Sequence, residues 1–173
     1  QMYVRSLYTE TLMDLSQRVE DILKGAALMT GTTVDAQWDE HPMSLPVRNN
    51  ATLARRWGAT QASRGRDVLP AGTLPDSQAA STDFGNVSHL VPGIHPLVKI
   101  APEGTALHTT DFAAAAISDQ AFEGAFDAAV GLAQTIADIL NDPQLLADAQ
   151  EEFRLAGGAI SVEKLLAGAA EQP

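Results

Sequence analysis

The sequence predicts an α/β protein, on three observations. YVRSLY and TTVDAQWDE, residues 3–8 and 32–40, carry alternating, β-branched and aromatic character and bracket a long helical pattern. IHPLVKI, residues 94–100, is an apolar run of the length of an interior strand. The last third of the chain repeats apolar residues at three- and four-residue intervals, as amphipathic helices do.

Taken in order, residues 3–8 form the first expected strand, and Thr9 is placed to cap the helix that follows. Leu12, Leu15, Val19, Ile22, Leu23, Ala26 and Ala27 give that helix one apolar stripe, directed at a sheet, and Gly31 ends it. In residues 32–40, Val34, Ala36 and Trp38 point one way while Asp35, Gln37 and Asp39 point the other, the pattern of a half-buried antiparallel strand. YVRSLY reads as a strand already under way, so an earlier part of the protein is expected before Gln1.

HPMSLPVRNN, residues 41–50, is punctuated by proline and marks the expected boundary between residues 1–48 and 49–173. Asn49 or Asn50 caps a short helix bearing Leu53, Ala54 and Trp57. Residues 63–80 are rich in Gly, Pro, Ser and Arg and read as loop, with one short strand at Asp67-Val68-Leu69. Asp119 is placed to cap a helix carrying Phe122, Phe126, Ala129, Val130, Ala133, Ile136, Ala137 and Leu140 on one broad face. Asp142 and Pro143 supply the N-cap and first position of the next helix, which Gly157 and Gly158 close. A short Ala/Leu helix from Ser161 completes the expected elements.

Composition narrows the function. The chain has 173 residues, 45% of them hydrophobic, enough for an ordinary core. A net charge of −11 repels phosphate backbones and anionic headgroups, so neither nucleic acid nor membrane is expected as a partner. No apolar run approaches a bilayer span, the start lacks a signal-peptide pattern, and acidity suits a cytoplasmic protein. With no cysteine, a metal centre has to draw on Asp, Glu and four histidines.

Two stretches could carry chemistry. In GTALHTTDFAAAA, residues 104–116, His108 sits in a small-residue loop that runs into a helix. Asp111, three residues on, could fix its tautomer or serve as an ordinary first-turn acid. In STDFGNVSH, residues 81–89, Ser81, Thr82 and Asp83 precede an aromatic and a glycine, a pattern equally suited to an Asx or ST turn. His41, His89 and His95 read as surface or structural histidines, and Arg5 on the first strand would need a carboxylate partner if buried. Arg55, Arg56, Arg64 and Arg66 form the one basic cluster, expected to pair with the chain's own acids. A catalytic zinc needs about three protein ligands, and no such set stands at recognisable spacing.

Read together, YVRS, KGAALMTGTTVD, VRNNATLA, STDFGNVSHLVPGIHP, GTALHTTDFAAAA and DILNDPQLL resemble, in that order, the C-terminal part of the M20 family of metallopeptidases and amidohydrolases, nearest its amidohydrolase subfamily. The resemblance implies the C-terminal part of a zinc-peptidase-like α/β catalytic domain, residues 49–173, with half of a small α/β lid that mediates dimerisation, residues 1–48. It implies His108 as a metal ligand, although Ala106 and Thr109 depart from the family's G-T-P-x-H-S loop. It further implies Arg5 facing a substrate carboxylate, and Ser81, Thr82, Asp83 and Asp111 in support. The complete protein would hold two Zn or Mn ions and hydrolyse an amide bond in N-acyl amino acids, aminobenzoyl-glutamate or small peptides. Its glutamate base and remaining ligands would lie on a missing N-terminal half, leaving this chain alone inactive. The competing expectation is a non-catalytic acidic α/β interaction module.

Overall fold

The computed structural model describes residues 2–38, 43–70, 72–73 and 82–164. Among these residues the secondary structure is entirely helical: α1 (Thr9–Thr30), α2 (Ala51–Ser63), α3 (Phe84–Ser88), α4 (Thr110–Ala115), α5 (Asp119–Asn141) and α6 (Pro143–Leu155). This overturns the expected α/β class, since no strand is present among the described residues to build a catalytic sheet or a lid. No helix among them is long and apolar enough to cross a membrane.

The expected strands fail for one physical reason. Alternation selects an extended backbone, but a strand also needs a neighbour to take its N–H and C=O groups. Tyr3 is 75% exposed, and the stretch around it finds no ladder. Residues 32–38 end beside α1, where the Trp38 indole N–H donates to Glu20 Oε2 at 2.6 Å. Residues 94–100 keep a period of two in their burial, yet His95 N–H donates to the Asn49 side chain at 2.8 Å and not to a strand. Residues 67–69 are exposed and form no strand. The tail expected to be helical is described only as far as Lys164.

The chain divides into two compact units. The first comprises residues 1–48, 71–91 and 157–173. Here α1 ends at Gly31, whose φ of 66° lets the following N–H groups turn back on the last carbonyls, Thr32 N–H donating to Ala27 O at 2.9 Å. The segment from Met43 to Arg48 is strapped to α3 by side chains. Asn86 accepts from Leu45 N–H at 2.8 Å and donates to Met43 O at 3.1 Å, while Ser88 Oγ accepts from Arg48 N–H at 2.9 Å. Gly85 permits this approach, because a Cβ there would collide with the Leu45 carbonyl.

The second unit comprises residues 49–70 and 92–156. Asn50 caps α2 by accepting from Leu53 N–H at 3.0 Å, and its amide donates to Ala149 O of α6 at 2.9 Å. Glu152 of α6 then accepts from Thr52 N–H at 2.9 Å and the Thr52 hydroxyl at 2.7 Å, so the start of α2 is satisfied from outside its own chain segment. The core of this unit is Leu53 and Trp57 on α2, Ala121 on α5 and Ala149 on α6. Trp57 and Gln61 lie against Gly131 of α5, where an added Cβ would come within 2.6 Å of Trp57 Nε1.

Candidate functional site

The residues singled out from the sequence are distributed over both units. Arg5 is exposed and stacks its guanidinium 5.3 Å from the Tyr3 ring. Thr82 donates its hydroxyl to Asp83 at 3.2 Å, and Asp83 stands at the N-cap of α3 without a side-chain cap bond. Ser81 lies outside the described residues. His108 is exposed, at a φ of 61° in the left-handed region. Thr109, not His108, organises this loop: its hydroxyl donates to Ala106 O at 2.7 Å and accepts from Phe112 N–H at 3.2 Å. Asp111 is an exposed acid in the first turn of α4, where the helix dipole favours it.

Among the described residues no three His, Asp or Glu side chains are grouped so as to hold an ion. The expected pair of Zn or Mn ions is therefore corrected, and with it the metal-dependent amidohydrolase or peptidase of the M20 type. With no sheet among the described residues, there is among them neither a lid to mediate a homodimer nor an α/β scaffold for a missing N-terminal half to complete, so those partners and the amide substrate are withdrawn too.

A shallow groove of about 460 Å³ opens within the first unit, lined by the first turn of α1 (Thr9, Glu10, Thr11) and by Pro46, Arg48 and His89. His89 is only 8% exposed. Burial is the main influence lowering its pKa; the Arg48 charge lowers it further, against the bond to Pro46, which raises it. The neutral ring therefore donates Nε2–H to Pro46 O at 3.1 Å, and its Nδ1 meets no partner among the described residues. This histidine, read from the sequence as structural, fastens the 43–48 segment.

The second unit concentrates its charge into ion pairs. Asp127 accepts from Arg64 and, at 2.6 Å, from Arg66; Asp138 pairs with Arg56. The hydrogen bond from Arg64, then that from Arg66, hold the Asp127 carboxyl below its ordinary range against a smaller opposing effect of burial. Burial pushes Glu152 up, but its bonds from Thr52 and Ala51 outweigh this and leave its pKa lowered. Three of the four clustered arginines, Arg56, Arg64 and Arg66, are thus paired with the chain's own acids, while Arg55 donates to the Thr52 hydroxyl at 3.0 Å.

What remains unconsumed is one side of α5. Ala121, Gly124, Gly131 and Thr135 face inward and are buried. On the opposite side Phe122, Phe126, Ile136 and Leu140 are 74%, 55%, 58% and 78% exposed, with Ala129 and Ala133 exposed between them. Residues at this spacing share one helix face. The sequence placed these residues, with Val130 and Ala137, on one broad face; the structure leaves its large residues exposed and buries the small-residue face. The one cue to this in the sequence is the seven-residue spacing of Gly124 and Gly131, which allows close approach of another element.

Comparison with known proteins gives two relatives with the same printed name. The chain is 34% identical to the Xaa-Arg dipeptidase of Mus musculus over 152 residues, 88% of this chain and 35% of that protein. It is 33% identical to the Xaa-Arg dipeptidase of Homo sapiens over 153 residues, again 88% and 35%. The chain thus spans about a third of the length of the curated relatives it matches. No family model and no solved structure matches it. The likeness is one of sequence. The helical structure and the lack of a grouped ligand set among the described residues overturn the expected M20 assignment.

Proposed function

We propose that this chain acts by association, as an acidic helical module that offers the outer face of α5 to another polypeptide. The observation that carries the reading is the exposed apolar stripe formed by Phe122, Phe126, Ala129, Ala133, Ile136 and Leu140, bordered by the Arg64 guanidinium over the Phe126 ring. Single exposed apolar residues are common on proteins, but a continuous apolar stripe is the feature that marks a binding surface. The stripe runs over nineteen positions, and at 1.5 Å per residue it is about 27 Å long, the scale of a helix-in-groove or helix-pair contact. Its freedom from charge, in a chain of net charge −11, favours an apolar partner over a basic one. An acidic chain without cysteine also suits a cytoplasmic setting.

A synthetic amphipathic helix with a Leu/Ala face tests this. Titrated into the 173-residue chain and followed by amide NMR shifts, it should perturb residues 122–140 and leave α2 and α6 largely unmoved. Phe126→Glu combined with Ile136→Glu should abolish the shifts. Perturbations elsewhere, or none at all, would remove the reading.

A further inference from the structure

We infer that the partner for α5 is a second copy of the same helix, paired antiparallel about Gly131; this rests on the association reading above and names its partner. The argument begins with order along the stripe. Reading outward from Gly131, Ala129 and Ala133 stand two residues away on either side, Phe126 and Ile136 five, and Phe122 and Leu140 nine. The pattern large, large, small, small, large, large is the same from either end. Such a palindrome is what an antiparallel two-fold interface requires, because each position must suit the position related to it by symmetry. In an antiparallel pair crossing at residue 131, Phe122 meets the other copy's Leu140, Phe126 meets Ile136, and Ala129 meets Ala133. The alanines at the centre allow the helix axes to approach while the large side chains close both ends.

The spacing of the stripe is 4, 3, 4, 3, 4, the repeat of a coiled-coil seam. Gly131 lies on the far side of the helix against Trp57, so the pair forms without disturbing the core of the unit. The direction follows from the flanks and the dipoles. In the antiparallel register Glu123, an acid flanking the stripe, is opposed by Ile139, and the two helix dipoles run head to tail. The Arg64 guanidinium, 5.3 Å from the Phe126 ring, borders the seam and is already paired with Asp127.

Area supports the same partner. With two rings of roughly 150–250 Å² each and two aliphatic side chains somewhat smaller, all more than half exposed, the stripe exposes on the order of 500 Å² per copy. Two copies together reach about 1,000 Å², the lower bound for a specific interface. The pair should therefore be real but weak.

Sedimentation of the 173-residue chain over a range of concentrations tests this, at about 0.15 M and about 0.5 M salt. A monomer–dimer equilibrium that strengthens with salt is expected, because two copies of charge −11 repel each other. Phe126→Glu with Ile136→Glu should weaken it more than about 100-fold, since like charges then face each other twice. Phe126→Lys with Ile136→Glu should keep the dimer, because each lysine then faces the other copy's glutamate. All these positions are exposed, and circular dichroism of the monomer checks that the variants remain helical. Loss of the dimer in the Lys/Glu variant, or a wild-type chain that stays monomeric throughout, overturns the pairing. If that monomeric chain still binds the synthetic helix on α5, only the identity of the partner falls; if it binds nothing there, both readings fall.

Discussion

The two sides of α5 differ in a way that hydrophobicity alone does not anticipate. The buried side is built from Ala121, Gly124, Gly131 and Thr135, and the exposed side from two phenylalanines, an isoleucine and a leucine. A fold that ranked faces by apolar content would turn the helix around. What decides its orientation is fit. Trp57 and Gln61 on α2 need room beside α5, and Gly131 supplies it where any larger residue would collide. The small side is specified by shape, and the large side stays exposed.

Breaking the small side should have the largest effect. In Gly131→Val the new side chain meets the Gln61 amide, which is itself held to Asp127 O at 2.8 Å, and the rigid Trp57 indole within 2.6 Å. Overpacking of this kind costs about 3 kcal/mol. Urea unfolding of the variant should show a midpoint lowered accordingly. A midpoint unchanged within error would mean that α2 and α5 are not packed as described, and the contrast between the two sides of α5 would lose its basis.

How far the sequence carried this picture varies by residue. Helix ends were legible where one side chain does the work. Gly31 stops α1, Asn50 caps α2, and Asp142 with Pro143 starts α6, where Asp142 accepts from Gln144 N–H at 3.0 Å. Near misses occurred where two adjacent residues can cap: Ser118, not Asp119, holds the start of α5, and Tyr8, not Thr9, stands at the N-cap of α1. The strands were misread because alternation is local while pairing is not; nothing in IHPLVKI says whether a neighbour exists. Asn86 and Ser88 escaped notice because their bonds reach some forty residues along the chain, to Leu45 and Arg48. The broad face of α5 was legible as a pattern, but whether it is covered was not. Periodicity identifies residues that share a side, but which side is covered depends on what packs there.

A smaller effect should come from the charge that ties α2's end to α5. The Asp127 pKa is lowered by its bonds from Arg64 and Arg66. A carboxyl depressed in the folded state contributes stability above its unfolded value of about 3.9, and this is lost as pH falls through the folded value. Thermal melting should therefore hold steady down to about pH 5 and decline below about pH 4. Asp127→Asn should melt lower near neutral pH and lose less on acidification, so that the two curves converge in acid. Parallel curves would show that the Arg64 and Arg66 pairs do not outlast solvent competition.

The smallest effect is expected where hydrophobicity is greatest. Ile136 is 58% exposed and touches the seam face, not the core. In the dilute monomer, Ile136→Gln should change the unfolding free energy by no more than about 0.5 kcal/mol, as surface substitutions do. At high concentration the same substitution should lower the melting point relative to wild type, because a dimer that binds only folded chain adds stability by mass action. The gap should widen with concentration and vanish on dilution. A large loss already present in the monomer would place Ile136 in the core, and the outer side of α5 would then be packed in the same sense as the inner one.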